Sequence, residues 1–148
     1  MATERERPFG GFRFLVSVEG ITIPGHAGFS EVSGLDVEIE PIEYRAGNDP
    51  DLTSRKIPGL RKYGNVTLKR GVTGSLEFWE WMVQIATESV SARRTVTIQL
   101  LDDETNAAYT WKLRNAWPTR YVGPSLEGNA STVAIEVLEL AHEGLDIE

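Results

Sequence analysis

The chain has 148 residues, 15 basic against 22 acidic side chains for a formal net charge of −7, and no cysteine. That length suits one domain with a real core, hiding roughly 68–70% of the unfolded surface, so no disulfide or metal is needed to hold it. The lack of thiols excludes cysteine nucleophiles and cysteine-based zinc sites, and the acidic balance, which favours solubility, argues against wrapping nucleic acid.

Residues 1–11 are charged and lack an apolar centre, so they read as a mobile arm that orders on contact with a partner and not as a signal peptide. No apolar run approaches the ~20 residues of a membrane span, so no membrane anchor is expected. Residues 12–148 read as a single domain without repeats. Phe12, Phe14, Val16 and Val18 alternate with Arg13, Leu15 and Ser17, which predicts a strand with one well-buried face. Ile21 to Ile23 is a short strand stopped by Pro24 and Gly25. Leu35, Val37 and Ile39 line one face of a further strand, with Asp36, Glu38 and Glu40 opposite. The parity then flips to Ile42 and Tyr44, with Pro41 at the flip, which suggests a bulge or an edge there. Residues 46–63, rich in charge, Pro and Gly, read as one long loop, a length that in a compact domain tends to be functional or disordered.

Val66 and Leu68 point inward in the next strand, with Thr67 and Lys69 outward. Ser75 to Glu88 reads as a helix with Ser75 as N-cap and Glu77 favourably placed in the first turn. Its apolar residues, among them Phe78, Trp79, Trp81, Met82 and Ile85, cover most of its circumference, more than the usual stripe of about 100°. Such a helix needs cover on two sides, from its own sheet and from a neighbouring subunit. Val96, Ile98 and Leu100 alternate with Thr95, Thr97 and Gln99. A turn at Asp102 to Asn106 leads into Tyr109, Trp111 and Leu113, alternating with Thr110, Lys112 and Arg114, until Ala116-Trp117-Pro118 ends or bends the strand. Ser131 to Ala141 is the last strand, with Val133, Ile135 and Val137 on one face. The fold class is mainly β: an antiparallel β-sandwich or half-barrel of about seven strands with one flanking α-helix.

Catalytic material is sparse. His26 lies between loop residues and His142 closes the last strand, and each reads as a lone surface histidine. No nucleophile elbow occurs, and Gly71 to Ser75 lacks the spacing and lysine of a phosphate loop. Asn48, Asp49 and Asp51 lack the glycine and final glutamate of a calcium loop. Asp102, Asp103 and Glu104 read as a solvated turn, and Trp79, Trp81, Trp111 and Trp117 as core or interface packing. No enzyme activity and no cofactor are expected.

An ordered set of segments resembles the T4-like phage tail tube proteins. It runs from Phe29-Ser30-Glu31-Val32-Ser33-Gly34-Leu35 and Ile42-Glu43-Tyr44-Arg45-Ala46-Gly47 through Arg55-Lys56-Ile57-Pro58-Gly59-Leu60 and Thr67-Leu68-Lys69-Arg70-Gly71-Val72-Thr73. It continues with Trp79 to Trp81, Arg114-Asn115-Ala116-Trp117-Pro118 and Glu139-Leu140-Ala141-His142-Glu143-Gly144-Leu145. The likeness spans residues 9–145 and extends to inner tube proteins of extracellular contractile injection systems. It implies hexameric rings stacked into a hollow tube, each subunit adding strands to a shared β-barrel. It also implies a surrounding sheath protein, baseplate or hub and cap partners, assembly in the bacterial cytoplasm and release in an injection particle or virion.

On that resemblance the polar strand faces become the lumen wall: Asp36, Glu38, Glu40, Thr67, Lys69, Thr95, Thr97, Gln99, Thr110, Lys112 and Arg114. The wall is of mixed sign and close to neutral, with cross-strand pairs such as Glu38 with Lys69 setting register. The loop, with Arg45, Asn48, Asp49, Asp51, Arg55, Lys56, Arg61 and Lys62, is expected to dock on the next subunit or ring and to order there. A mixed lumen leans toward protein cargo. The competing readings are the tail tube of a DNA-conducting phage and, more distantly, a stand-alone ligand-binding β-sandwich.

Overall fold

The computed structural model describes residues 2–21, 28–129 and 131–148. The expected short strand Ile21 to Ile23, its stop at Pro24-Gly25 and His26 fall in or run into residues 22–27, outside the described residues, though Ile21 itself bridges back to Val18. The described residues form nine strands and one α-helix: β1 (Phe14–Val18), β2 (Phe29–Ser33), β3 (Val37–Tyr44), β4 (Arg55–Tyr63), β5 (Val66–Gly71), α1 (Glu77–Glu88), β6 (Arg94–Leu101), β7 (Ala107–Val122), β8 (Ile135–Ala141) and β9 (Gly144–Ile147).

All pairings are antiparallel. β7 is the spine, a 16-residue strand that takes part in two layers. Its first half pairs with β6 and β9, and β1 completes that front layer. Its second half pairs with β8, which continues through β5 to β2 as the back layer. The changeover is a bulge between the Val96–Leu113 and Arg94–Ala116 pairs, where Asn115 sits at φ 51°. Asparagine tolerates this left-handed conformation better than most residues, and a bulge sharpens the local bend. The Ala116-Trp117-Pro118 segment therefore bends the strand without ending it.

The alternation read from sequence points into the space between the layers. Val16, Val18, Val96, Ile98 and Leu113 from the front meet Val66, Leu68, Leu138 and Leu140 from the back, all in one buried cluster. Each such side chain contributes about 1.5–3 kcal/mol when fully buried. Phe78 and Trp81 of α1 close the core, and the Trp81 indole N–H donates to Ala92 O at 2.8 Å. Phe12 stays outside, 73% exposed, because β1 begins only at Phe14.

Several expectations are corrected. Residues 46–63 are not one loop, since Arg55–Tyr63 forms β4 and pairs with β3. This hairpin stands off the core, so no burial period marks its strands. Ser75 is not the helix cap, because Leu76 holds that position without a side-chain hydrogen bond. Val133 precedes β8 and is 77% exposed, and the inward face of β8 is Glu136, Leu138 and Leu140. Within the arm, Thr3 N–H donates to Ala108 O at 2.7 Å, and Arg5 and Arg7 lie 3.4 and 3.3 Å from the Asp103 carboxylate of the acidic turn.

Candidate assembly interface

Gly34 and Gly64 carry the chain out of and back into the β2–β5 ladder, so the β3–β4 hairpin prolongs the back layer. Gly34 has φ 88°, and a Cβ there would strike the Asn65 carbonyl. Asp36 accepts the Gly64 N–H at 3.0 Å. His142 grips the same point: its Nε2 lies 3.1 Å from Gly64 O and its Nδ1 3.1 Å from Gly144 O, with its ring 5.4 Å from that of Tyr63. The histidine expected to be a lone surface residue is thus a half-buried pin at the hairpin root.

Beyond the root every β3 residue is exposed. The register runs Val37↔Tyr63, Glu38↔Lys62 and Ile39↔Arg61, then Pro41↔Pro58, Ile42↔Ile57, Glu43↔Lys56 and Tyr44↔Arg55. Between Ile39 and Pro41 one residue, Glu40, faces two, Gly59 and Leu60, so the extra residue is on β4. The bulge expected at Pro41 is therefore carried by the opposite strand. A side chain at Gly59 would collide with the Glu40 carbonyl.

The tip is tied by its own bonds. Arg45 Nε donates to Asp51 O at 2.8 Å and Nη2 to Asp49 O at 3.2 Å, Ala46 N–H donates to the Asp49 carboxylate, and Arg55 pairs with Asp49 at 3.6 Å. Asn48 is exposed in the same turn, and Lys56, Arg61 and Lys62 are strand residues. These bonds all lie within the turn and the strand ends that flank it. Among the described residues no group of three or more His, Cys, Asp or Glu side chains is placed to hold a metal.

The polar strand faces expected to form one wall are divided. Thr95, Thr97, Gln99, Thr110, Lys112 and Arg114 lie on the outer face of the front layer, where Lys112 meets Glu148 at 3.1 Å and Arg114 meets Asp146 at 3.4 Å. Thr67 and Lys69 lie on the outer face of the back layer, since Val66 and Leu68 between them turn into the core. Asp36, Glu38 and Glu40 belong to the hairpin and its root. Glu38 faces Lys62 and not Lys69, which pairs with Glu31 at 3.3 Å. The hairpin turn sets that register, and spacing alone does not reveal it.

On α1 Phe78 and Trp81 are buried, and Met82 and Ile85 are half-buried. Trp79 remains 53% exposed, with Leu76 and Val83 also outside. Trp79 leans edge-on against Tyr121 at 5.9 Å. Hydrogen bonding to Glu136 first, then burial and the Glu136 charge, push the Tyr121 phenol above its ordinary value, against the pull of Arg70. The Asn115 amide first, then the Arg93 charge, hold the Glu143 carboxyl below its ordinary value.

The described residues thus form a two-layer sandwich with exposed apolar side chains on the helix flank and a projecting hairpin on which apolar and charged side chains are both exposed, features that suit contact with other chains. Residues 10–146 match the family described as T4-like virus tail tube protein gp19, and the chain belongs to that family. A chain in the cryo-EM structure of an extracellular contractile injection system, the PVC sheath–tube complex in its extended state, is similar with a TM-score of 0.83 and 33% identity, over 97% of this chain and 93% of that one. A chain of the six-fold symmetrised baseplate of the anti-feeding prophage is similar with a TM-score of 0.82 and 25% identity, over 97% of both chains. Hcp1 from Flavobacterium johnsoniae shares the fold at a TM-score of 0.55 and 15% identity, over 90% of this chain and 93% of that one. Comparison with curated proteins gives no match.

Proposed function

We propose that the chain is the inner-tube subunit of a contractile injection system, closing into hexameric rings that stack around a hollow lumen. The observation that carries this reading is the hairpin, a long two-stranded element exposed on both faces in a chain that matches tail tube proteins from residue 10 to residue 146. A solitary hairpin is marginal in water, so it gains its full stability only when other copies cover it. The tube begins at a baseplate, ends at a cap and is wrapped by a sheath whose contraction drives it outward. Those partners follow from similarity to chains of sheath–tube, baseplate and cap assemblies. Assembly takes place in the bacterial cytoplasm, and the role is structural, with no catalysis.

The lumen wall is the outer face of the back layer, Thr67 and Lys69, together with Asp36, Glu38 and Glu40. The hairpin prolongs this layer, and a tube needs a wall longer than one sandwich. Lys69 with Glu31 and Lys62 with Glu40 at 3.1 Å offset two of the acids along this wall, while Asp36 and Glu38 leave it net negative, so its charge does not single out protein over DNA as cargo.

Electron microscopy of the chain co-expressed with its baseplate tests the proposal. Hollow tubes of six-fold rings are expected, and a dispersed subunit beside a competent baseplate overturns it. The chain has no native thiol, so Thr67→Cys and Thr97→Cys report the wall. In capped tubes Thr67→Cys reacts with a small maleimide and excludes a polymer-linked one; the reverse pattern places the front layer inside.

A further inference from the structure

Strand β8 turns a carboxylate inward and aliphatic residues outward. Glu136, Leu138 and Leu140 are buried in the core, so Ile135 and Val137 lie on the other side. Register places that side on the wall face: Val137 stands opposite Lys69, Glu139 opposite Thr67, and Ile135 opposite Gly71. On the far flank Val122 stands opposite Val137, and Arg120 opposite Glu139. Directly opposed side chains share a face with Cβ atoms about 4.5–5.5 Å apart, so Val122, Ile135 and Val137 form one patch. All three are half-buried, as Thr67 and Lys69 are. Val133 keeps the same parity just ahead of β8 and is 77% exposed. Gly71 leaves the place beside Ile135 open, since a Cβ there would approach nothing nearer than the Ala134 carbonyl at 4.0 Å.

We infer that Val122, Ile135 and Val137 form an apolar collar in the bore, repeated around each ring, that binds the aliphatic side chains of a polypeptide passenger. This rests on the tube reading and on the back layer being its wall. The patch is continuous with that wall, on the same sheet face as Thr67 and Lys69. Its charged borders are matched: Lys69 meets Glu31 at 3.3 Å, and Arg120 faces Glu139. Matched borders offer little to a phosphate backbone, whose binding depends on cations that neutralise it. Duplex DNA turns its phosphates outward and keeps its bases stacked inside, so it gains little from aliphatic groups on the wall. An incompletely folded polypeptide carries exposed aliphatic groups, and seating them on the collar removes apolar area from water on both sides. The collar therefore selects a passenger where the charge of the wall does not.

The test uses tubes of the full chain co-expressed with its baseplate. The probes are a fluorescent peptide of Gly-Ser-Leu repeats, its Gly-Ser-Ser counterpart and a fluorescent DNA duplex, in salt high enough to screen the wall charge. Sedimented open tubes should retain the leucine peptide and release the other two. Val122→Ser combined with Val137→Ser should cut that retention about tenfold or more. Equal retention of both peptides, of peptide and duplex, or of peptide on parent and variant tubes overturns the collar. If the double variant does not assemble, Val137→Cys tubes are built first and then treated with a sulfonated maleimide, which finds no other thiol in the chain. Loss of the leucine peptide on treatment supports the collar, and unchanged retention overturns it. In capped tubes the same thiol should react with a small maleimide and exclude a polymer-linked one. Reaction with both puts the patch outside, and the wall reading fails. Reaction with neither means that a second copy covers the patch, and the collar is wrong. If the unaltered chain builds no tubes, the tube reading itself fails.

Discussion

Arg70 and Glu136 face each other across β5 and β8 inside the core, 1% and 5% exposed. The Arg70 Nε–H donates to Glu136 Oε1, the Tyr121 hydroxyl donates to Glu136 Oε2 at 2.7 Å, and the guanidinium lies 3.9 Å from the Phe78 ring centre. Breaking one side strands a charge. Glu136→Gln or Arg70→Met alone should destabilise by about 3–5 kcal/mol, whereas Arg70→Met with Glu136→Leu should cost far less. Urea denaturation of the three variants checks this. Additive losses in the double variant would show that the pair is not coupled.

His142 sits at the hairpin root against the Tyr63 ring, with Gly64 O and Gly144 O facing its two ring nitrogens and one of them accepting its N–H. His142→Ala should cost about 1–2 kcal/mol through its lost hydrogen bonding. Amide exchange should speed up selectively around Gly64, with the core strands β6 and β8 unchanged. Uniform acceleration would instead mean that the whole sandwich loosens.

At the β7 bend, Glu143 accepts from Asn115 Nδ2 at 2.9 Å and pairs with Arg93. Its lowered pKa means that folding favours the ionised carboxylate. The contribution is complete above the ordinary value of 4.5 and disappears as pH falls through the lowered one. Glu143→Gln should therefore lose less stability than the parent between about pH 6 and about pH 3. Melting curves across that range with equal slopes for both proteins would remove Glu143 from the account.

Trp81→Phe keeps a ring in the core but removes the donor to Ala92 O. A buried carbonyl left without its partner costs about 1–3 kcal/mol. Thermal melts should fall accordingly, and the short helical turn Ser89–Ala92 should exchange faster. An unchanged melt would mean that water replaces the indole.

Where one face of a strand is buried, periodicity reveals it: Val96 and Ile98, or Val66 and Leu68, are core residues in sequence and in space. Arg70 and Glu136 were illegible because a charge becomes a core residue only through a partner, and theirs lies 66 positions away. β4 read as loop since a strand in solvent has no inside to alternate toward, and the Pro58-Gly59 step resembles punctuation. β9, four residues long, is too brief to register. Among the assembly residues, the parity switch between Ile39 and Ile42 was visible. Its location on the partner strand required the register, as did the replacement of the Glu38–Lys69 pair by Glu38 with Lys62.

The long strand through both layers has a mechanical meaning for the tube subunit proposed above. β7 is ladder-bonded to β6, β8 and β9, so force entering one layer reaches the other along a covalent backbone. Shearing the layers apart requires many of these bonds to break together. In the tube proposed above, axial load would thus pass between layers through the single strand that bends at Asn115.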